Sequence, residues 1–333
     1  MTSERQLSVW AALGLWAASV AGAVLYGAWH GYAGRAFVFT AGVLAFFLAV
    51  QLLFAADDLG ERLSRRTGSH FGVLVCTTPL CAYLIYLFGT NDFTWWRAAL
   101  AAAYILAPAL LAISAGTTQP GAWQDYLAML LIFLPLKMTW LNRFWPYPAG
   151  AGGAAIRITY VATTLLAVSV ALAIFLFIRQ LDGVGYTIVW GRGTAVSIVV
   201  HFGLLSAIVI PLGISLHFIQ FDPGIAQWKT LPVSAMAIFL LTAWPEELIF
   251  RGLLQNCLSR TLSSRTTGWI TASVLFGLAH ITNGGFPNWR YALLAAVAGI
   301  FYGSAWRKSG SILPAAVVHA LVDTTWHFLF RTL

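Results

Sequence analysis

Charged residues are scarce in this chain. Only 9% of its 333 residues are Asp, Glu, Lys or Arg, whereas a soluble domain carries about 25%. So few charges cannot cover a water-facing surface of this size. The scarcity of charge therefore excludes one or two ordinary soluble domains.

Cysteine pairs and dense basic patches are also missing. Cys76, Cys81 and Cys257 form no CxxC motif, and an odd number of isolated cysteines argues against a disulfide framework or a cysteine-rich metal site. The 19 Lys and Arg residues behind the net charge of +8 stand singly or in pairs. This scatter excludes nucleic acid as a partner and is typical of cationic anchors at a membrane surface.

Apolar sequence is what the chain has in abundance. Hydrophobic residues make up 59% of it, including 15 Trp, and the mean hydropathy is +0.79. Because a membrane span needs about 20 mostly apolar residues, we predict an all-α, polytopic membrane protein with ten or eleven transmembrane helices. The segments lie near 7–29, 36–56, 71–89, 98–115, 126–141, 158–178, 194–218, 232–258, 268–282, 290–306 and 311–330. The fifth and ninth are short, and a Pro/Gly linker is predicted at 146–153.

Ionisable residues inside apolar segments are concentrated in the last hundred residues. Each costs about 2.5–3.5 kcal/mol on membrane-insertion scales, so each is a functional hypothesis by default. Three clusters stand out, and they contain Glu246, Glu247 and Arg251; Phe276 and His280; and His319 and Asp323. The sequence therefore predicts that any chemistry takes place inside or at the edge of the bilayer.

Helix geometry places the two carboxylates of the first cluster on different faces of the helix. Glu247 and Arg251 are four residues apart and lie within about 40° on one helix face, so they can pair. Glu246 lies roughly 140° away from Arg251 and cannot easily share that partner. Pro245 removes a backbone donor and predicts a kinked or restarted helix. A purely structural ion-pair network is the alternative, and the additional carboxylate argues against it.

The histidine clusters supply the remaining groups of a hydrolytic site. His319 and Asp323 are four apart and point the same way, and His280 could converge with them and with Glu246 between helices. A carboxylate base and two imidazoles can activate a water and stabilise an oxyanion. Glu246, His280 and His319 could equally bind zinc. There is no HExxH motif, and spacing alone does not choose between these readings.

The three motifs together resemble a known family. Glu-Glu-x-x-x-Arg, Phe-x-x-x-His and His-x-x-x-Asp, with Gly299-x-x-x-Gly303 before the last, resemble the CPBP (CAAX protease and bacteriocin-processing) intramembrane proteases. This family includes the Ras-converting CAAX endopeptidases. The resemblance covers about residues 232–330. It divides the chain into an N-terminal hydrophobic multi-span region, 1–230, and CAAX-protease-like catalytic helices, 231–333.

The resemblance implies a role for each site residue. Glu246 would activate the attacking water, and Glu247 would be held by Arg251. His280 would orient the water, and His319 with Asp323 would stabilise the oxyanion. Some members have Asn at the last position; an ionised Asp323 cannot donate a hydrogen bond, so it would donate only when protonated, or would instead orient His319. We expect no cofactor, with a divalent metal such as zinc as the alternative.

The predicted function is that of an intramembrane endopeptidase. Its substrate would be a membrane-associated protein or peptide, with a lipidated or C-terminal tail as one option, and its location a prokaryotic cell membrane. One alternative is a non-catalytic scaffold or immunity-type member of the same family. A proton-coupled transporter is less favoured, because the first two-thirds of the chain carry few charges within their apolar segments.

Overall fold

The computed structural model describes residues 5–116, 118–145 and 158–333. Within these ranges the chain forms eleven helices, and each predicted segment falls on one of them. They are α1 (Val9–Trp29), α2 (Gly34–Ala55), α3 (Leu59–Thr90), α4 (Trp95–Ser114), α5 (Trp123–Lys137), α6 (Ile158–Leu172, continued by a π-helix, Ala173–Ile178), α7 (Arg192–Ser215), α8 (231–261, partly π-helical), α9 (Arg265–Leu278), α10 (Trp289–Ser309) and α11 (Ile312–Leu329). The predicted linker at 146–153 lies outside the described residues.

Helix α8 carries the first motif and is irregular. Its α-helical parts are Leu231–Ile238, Trp244–Glu247 and Asn256–Thr261, and π-helices at Phe239–Ala243 and Leu248–Gln255 join them. Pro245 predicted a kinked or restarted helix; the helix instead continues through Pro245, and the irregularity takes the form of π-helical segments on both sides of the turn Trp244–Glu247. Short 3-10 helices occur at Trp140–Phe144 and Ile225–Thr230.

Eight helices of the described chain are long and apolar enough to cross a membrane. The predicted count of ten or eleven is higher because it included α5, α9 and α10. Helices α5 and α9 have 15 and 14 residues, fewer than the roughly 20 that a span needs. Helix α10 has 21 residues but is less apolar than the eight. The protein is therefore an all-α, multi-pass membrane protein. Three of the predicted spans, α5, α9 and α10, form helices that are shorter or less apolar than the eight candidate spans.

The chain packs into two compact units. One is Leu7–Asp182, with α1–α6, and the other is Gly183–Leu333 together with the strand Arg5–Gln6. In the second unit α7 packs against α10 and α11. The predicted boundary at residue 230 was drawn by resemblance and stays a prediction; by packing, α7 belongs with the helices that follow it.

Two antiparallel pairs of short strands occur in the second unit. Strand β1 (Arg5–Gln6) pairs with β2 (Val189–Trp190). Strand β3 (Ile219–Phe221), which follows α7, pairs with β4 (Phe330–Thr332), which follows α11. The β3–β4 pair ties the ends of α7 and α11 together.

Glycines set the close packing of α9 on α10. A Cβ atom added at Gly277 would clash with the carbonyl oxygen of Ala292, and one at Gly303 would lie 2.5 Å from the ring of Trp269. The indole of Trp269 donates to the Ile300 carbonyl at 2.9 Å. Close packing of this kind is typical of a Gly-x-x-x-Gly motif in an apolar helix. This packing fixes the end of α9, where the loop that contains His280 begins.

A buried ion pair organises the first unit. Arg179 Nε lies 2.6 Å from Asp125 Oδ1, and Arg179 Nη2 donates to Asp125 Oδ2 at 3.1 Å. The other guanidinium bonds reach the carbonyls of Gly116 and Thr118, both at 3.0 Å. Asp125 also accepts the N–H of Gly121 at 2.8 Å. The pair thus joins α5, the end of α6 and the turn before α5.

Replacing Arg179 with Met is expected to destabilise the protein by about 3 kcal/mol, because it leaves a buried carboxylate without its cation. The exposed pair Arg65–Glu61, 3.9 Å apart, provides the control: Arg65→Met should cost less than about 1 kcal/mol. Thermal unfolding in detergent measures both. Equal stability losses for the two variants would contradict a clamping role for Arg179.

Candidate active site

The two carboxylates of the first motif lie in a short α-helical turn between π-helices. Glu246 and Glu247 follow Pro245 in the turn Trp244–Glu247. The next segment, Leu248–Gln255, is π-helical, and such insertions are frequent at functional sites. The side chain of Glu247 is fully buried, whereas that of Glu246 is 27% exposed. The two neighbours therefore face different surroundings, as their spacing predicted.

Glu247 pairs with Arg251 in the protein interior. Arg251 Nε lies 3.1 Å from Glu247 Oε2, and both side chains are 0% exposed. The guanidinium carbon also lies 4.6 Å from the ring centroid of Phe276 and 5.5 Å from that of Tyr302. Within the described residues none of its nitrogens makes a hydrogen bond of favourable angle. The charge of Arg251 is therefore compensated by the ion pair and by aromatic faces.

Glu247 has a second partner that the spacing did not predict. Its Oε1 lies 2.9 Å from His319 Nδ1, and because an ionised carboxylate only accepts, Nδ1 is the donor. His319 Nε2 lies 3.5 Å from Asp323 Oδ2. Tyr302 stacks on the imidazole with ring centroids 4.7 Å apart. Glu247 thus connects Arg251 with His319 and holds the ring in one orientation.

His280 faces Glu246. Its Nδ1 lies 2.7 Å from the Phe276 carbonyl oxygen, so Nδ1 carries the hydrogen and, in the neutral ring, Nε2 keeps its lone pair. His280 Nε2 lies 3.9 Å from Glu246 Oε2. That carboxylate oxygen is buried and has no hydrogen-bond partner among the described residues. One water molecule at hydrogen-bonding distance, about 2.8 Å, can contact both atoms.

Four of the six predicted site residues line a cavity of about 190 Å³. Glu246, His280, His319 and Asp323 line it, while Glu247 and Arg251 lie behind its wall. A single water needs only about 10–15 Å³ by a comparable measure, so several fit. The rest of the wall is mostly apolar and comes from α7, the β3–β4 pair, α10 and α11, including Leu205, Val209, Phe218, Ile219, Leu294, Val322, Trp326 and Phe330.

The predicted zinc ligands Glu246, His280 and His319 do not form a ligand set as they are arranged. Both ring nitrogens of His319 face carboxylates, one of Glu247 and one of Asp323. Across the described chain, no three His, Cys, Asp or Glu side chains are grouped so that they could hold a metal ion.

Three further cavity residues were not predicted. Tyr302 stacks on His319, and Tyr291 and Asn283 line the cavity beside His280. Tyr302 lies inside the Gly-x-x-x-Gly motif and Asn283 lies three residues after His280, so only their proximity to the motifs could have indicated them. Tyr291 is distant from every motif in sequence, and the turn between α9 and α10 brings it back to the site.

The fold and the site together define a class. This is a multi-pass helical membrane protein whose C-terminal helices enclose a cavity with an acid–imidazole site. Residues 228–325, less than a third of the chain, match the model of the family described as type II CAAX prenyl endopeptidase Rce1-like. The match covers all six predicted site residues and confirms the resemblance to the CAAX-type intramembrane proteases. No curated protein and no solved structure matches the chain significantly.

Proposed function

We propose that the protein is an intramembrane endopeptidase in which Glu246 activates the attacking water. The observation that supports this most directly is the approach of Glu246 Oε2 to His280 Nε2, 3.9 Å apart, on the wall of a cavity that has room for several water molecules. Glu246 is a carboxylate with a buried acceptor oxygen, and His280 offers a lone pair beside it. Together they can accept both hydrogens of one water.

The chemistry then follows from these two acceptors. Glu246 takes one proton from the water as the oxygen attacks the carbonyl carbon of the scissile peptide, and His280 accepts a hydrogen bond from the other hydrogen. The carbonyl π electrons move to the oxygen and form a tetrahedral oxyanion. When the C–N bond breaks, the protonated Glu246 returns its proton to the leaving amine. The carboxylate is then regenerated, and no other reactant is consumed.

The buried residues keep the second imidazole in place during this cycle. His319 donates through Nδ1 to Glu247, which Arg251 neutralises, so the ring cannot turn without breaking a buried contact. Its Nε2 edge faces the cavity beside Asp323, where a proton on Nε2 would stabilise the developing oxyanion. In this role Asp323 orients His319. Glu247 and Arg251 act only through His319.

The proposed substrate is a membrane-associated protein or peptide cleaved near its C-terminus. The family description names CAAX prenyl endopeptidases, and the largely apolar cavity wall suits a chain that carries an apolar or lipid-bearing residue near the scissile bond. A prokaryotic cell membrane as the location is part of the same proposal.

Sequencing of new protein termini in host membranes tests the proposal. Membranes with wild-type protein are compared with membranes holding Glu246→Ala at a matched level, and mass spectrometry identifies the termini. We expect at least one terminus that depends on Glu246 and persists in the control variant Glu61→Gln, which changes a carboxylate of the other unit. Termini that are identical in all three samples, with each variant folded and inserted, would favour the non-catalytic scaffold.

Chelation tests the metal-free mechanism. The purified protein is incubated with 1,10-phenanthroline, passed through a desalting column and assayed with a peptide that spans the Glu246-dependent cleavage site. We expect unchanged cleavage, because the proposed step uses only carboxylate and imidazole acceptors. Loss of cleavage that added zinc restores would instead assign Glu246, His280 and His319 to a metal.

A further inference from the structure

The loop between α9 and α10 brings an amide and a phenol into the cavity beside the proposed base. Asn283 and Tyr291 line the cavity with Glu246 and His280. The ring centroids of Tyr291 and His280 are 5.1 Å apart. Neither residue has a role in the mechanism above.

Backbone and capping bonds hold this loop in one conformation. The N–H of Asn283 donates to the His280 carbonyl at 3.0 Å. Asn288 Nδ2 donates to the Asn283 carbonyl at 2.8 Å, and Asn288 Oδ1 accepts the N–H of Tyr291 at 3.1 Å, which caps α10. The ring of Tyr291 also packs against Trp326, with centroids 5.1 Å apart. Asn283 is therefore held at a defined position relative to His280.

The proposed reaction needs a hydrogen-bond donor that the predicted residues supply poorly. Glu246, Glu247 and Asp323 are acceptors when ionised, and His319 Nδ1 already donates to Glu247. That leaves one imidazole N–H, beside the carboxylate of Asp323, for the oxyanion. An amide is neutral and carries two N–H donors. Asn283 brings such a group to the same cavity.

We propose that Asn283 is a further catalytic residue of this site, whose side-chain amide donates a hydrogen bond to the carbonyl oxygen of the scissile peptide. The inference rests on the proposed endopeptidase function. It gives this chain an amide donor on the loop after α9, whereas position 323 holds a carboxylate.

Steady-state kinetics with a synthetic peptide spanning the Glu246-dependent cleavage site tests the assignment. For Asn283→Ala we expect kcat to fall about 10²–10³-fold with little change in KM, as for the loss of one oxyanion donor. Glu61→Gln, which changes a carboxylate of the other unit, is the control and should behave as wild type.

A second variant separates a donor role from a structural one. Asp323→Asn places a neutral amide elsewhere on the same cavity wall, so Asn283→Ala/Asp323→Asn should recover at least about tenfold in kcat over Asn283→Ala, a fraction of one donor's effect. A loop that only needs Asn283 for its fold would show no recovery, and that result overturns the inference. If Asn283→Ala does not fold, Asn283→Asp, which keeps the shape and removes the donor, replaces it in both backgrounds.

The outcome also separates this inference from the proposed function. If Glu246→Gln is inactive and Asn283→Ala cleaves at the wild-type rate, only the role of Asn283 is wrong. If no cleavage in host membranes depends on Glu246, the endopeptidase and the oxyanion donor are both wrong.

Discussion

Glu246→Gln is expected to lower kcat by about 10²–10⁴-fold, the usual contribution of a general base. Glutamine keeps the size and the acceptor oxygen of the side chain but cannot take a proton from water. Cleavage of the peptide that spans the identified site measures the effect. The side chain of Glu246 is 27% exposed and its nearest ionic contact is 3.9 Å away, so the thermal unfolding midpoint should change little.

The comparison that makes this result specific is Glu246→Asp. Aspartate keeps the base but shortens the side chain by one methylene, which moves the carboxylate away from His280. We expect residual activity between that of wild type and that of Glu246→Gln. Full activity of Glu246→Gln would show that another group activates the water, and the proposed mechanism would be wrong.

Arg251→Met is expected to destabilise the protein by about 3–5 kcal/mol, the cost of removing one partner of a buried ion pair. Methionine replaces part of the apolar stem but leaves Glu247, which is 0% exposed, with no cation other than the one that His319 can provide. Unfolding in detergent, followed by heat or denaturant, gives the loss. Activity should fall with it, because Glu247 also holds His319.

A double-mutant cycle separates the charge from the packing. Glu247→Gln/Arg251→Met removes both charges, so we expect it to be more stable than Arg251→Met alone, with a coupling energy of about 0.5–3 kcal/mol. A double variant whose loss equals the sum of the two single losses would contradict direct coupling. In that case Arg251 would act mainly through its contacts with Phe276 and Tyr302.

The all-helical membrane fold was predictable because its signal is local. Eleven apolar segments were predicted and each falls on a helix, since segment length and hydropathy depend only on neighbouring residues. The count of spans was less accurate, because a short helix such as α9 and a less apolar one such as α10 give similar patterns within a window. The boundary between the two packed units depends on which distant helices α7 contacts, and no local sequence pattern encodes those contacts.

The sequence by itself determined which of the two glutamates, Glu246 or Glu247, pairs with Arg251. Their spacing from Arg251 fixes which of them can pair, because residues four apart share a helix face. Only the tertiary structure decided that Glu247 also reaches His319, that His280 faces Glu246, and that Asn283 and Tyr291 border the same cavity. These contacts join residues far apart in the chain, so they depend on how whole helices pack against one another.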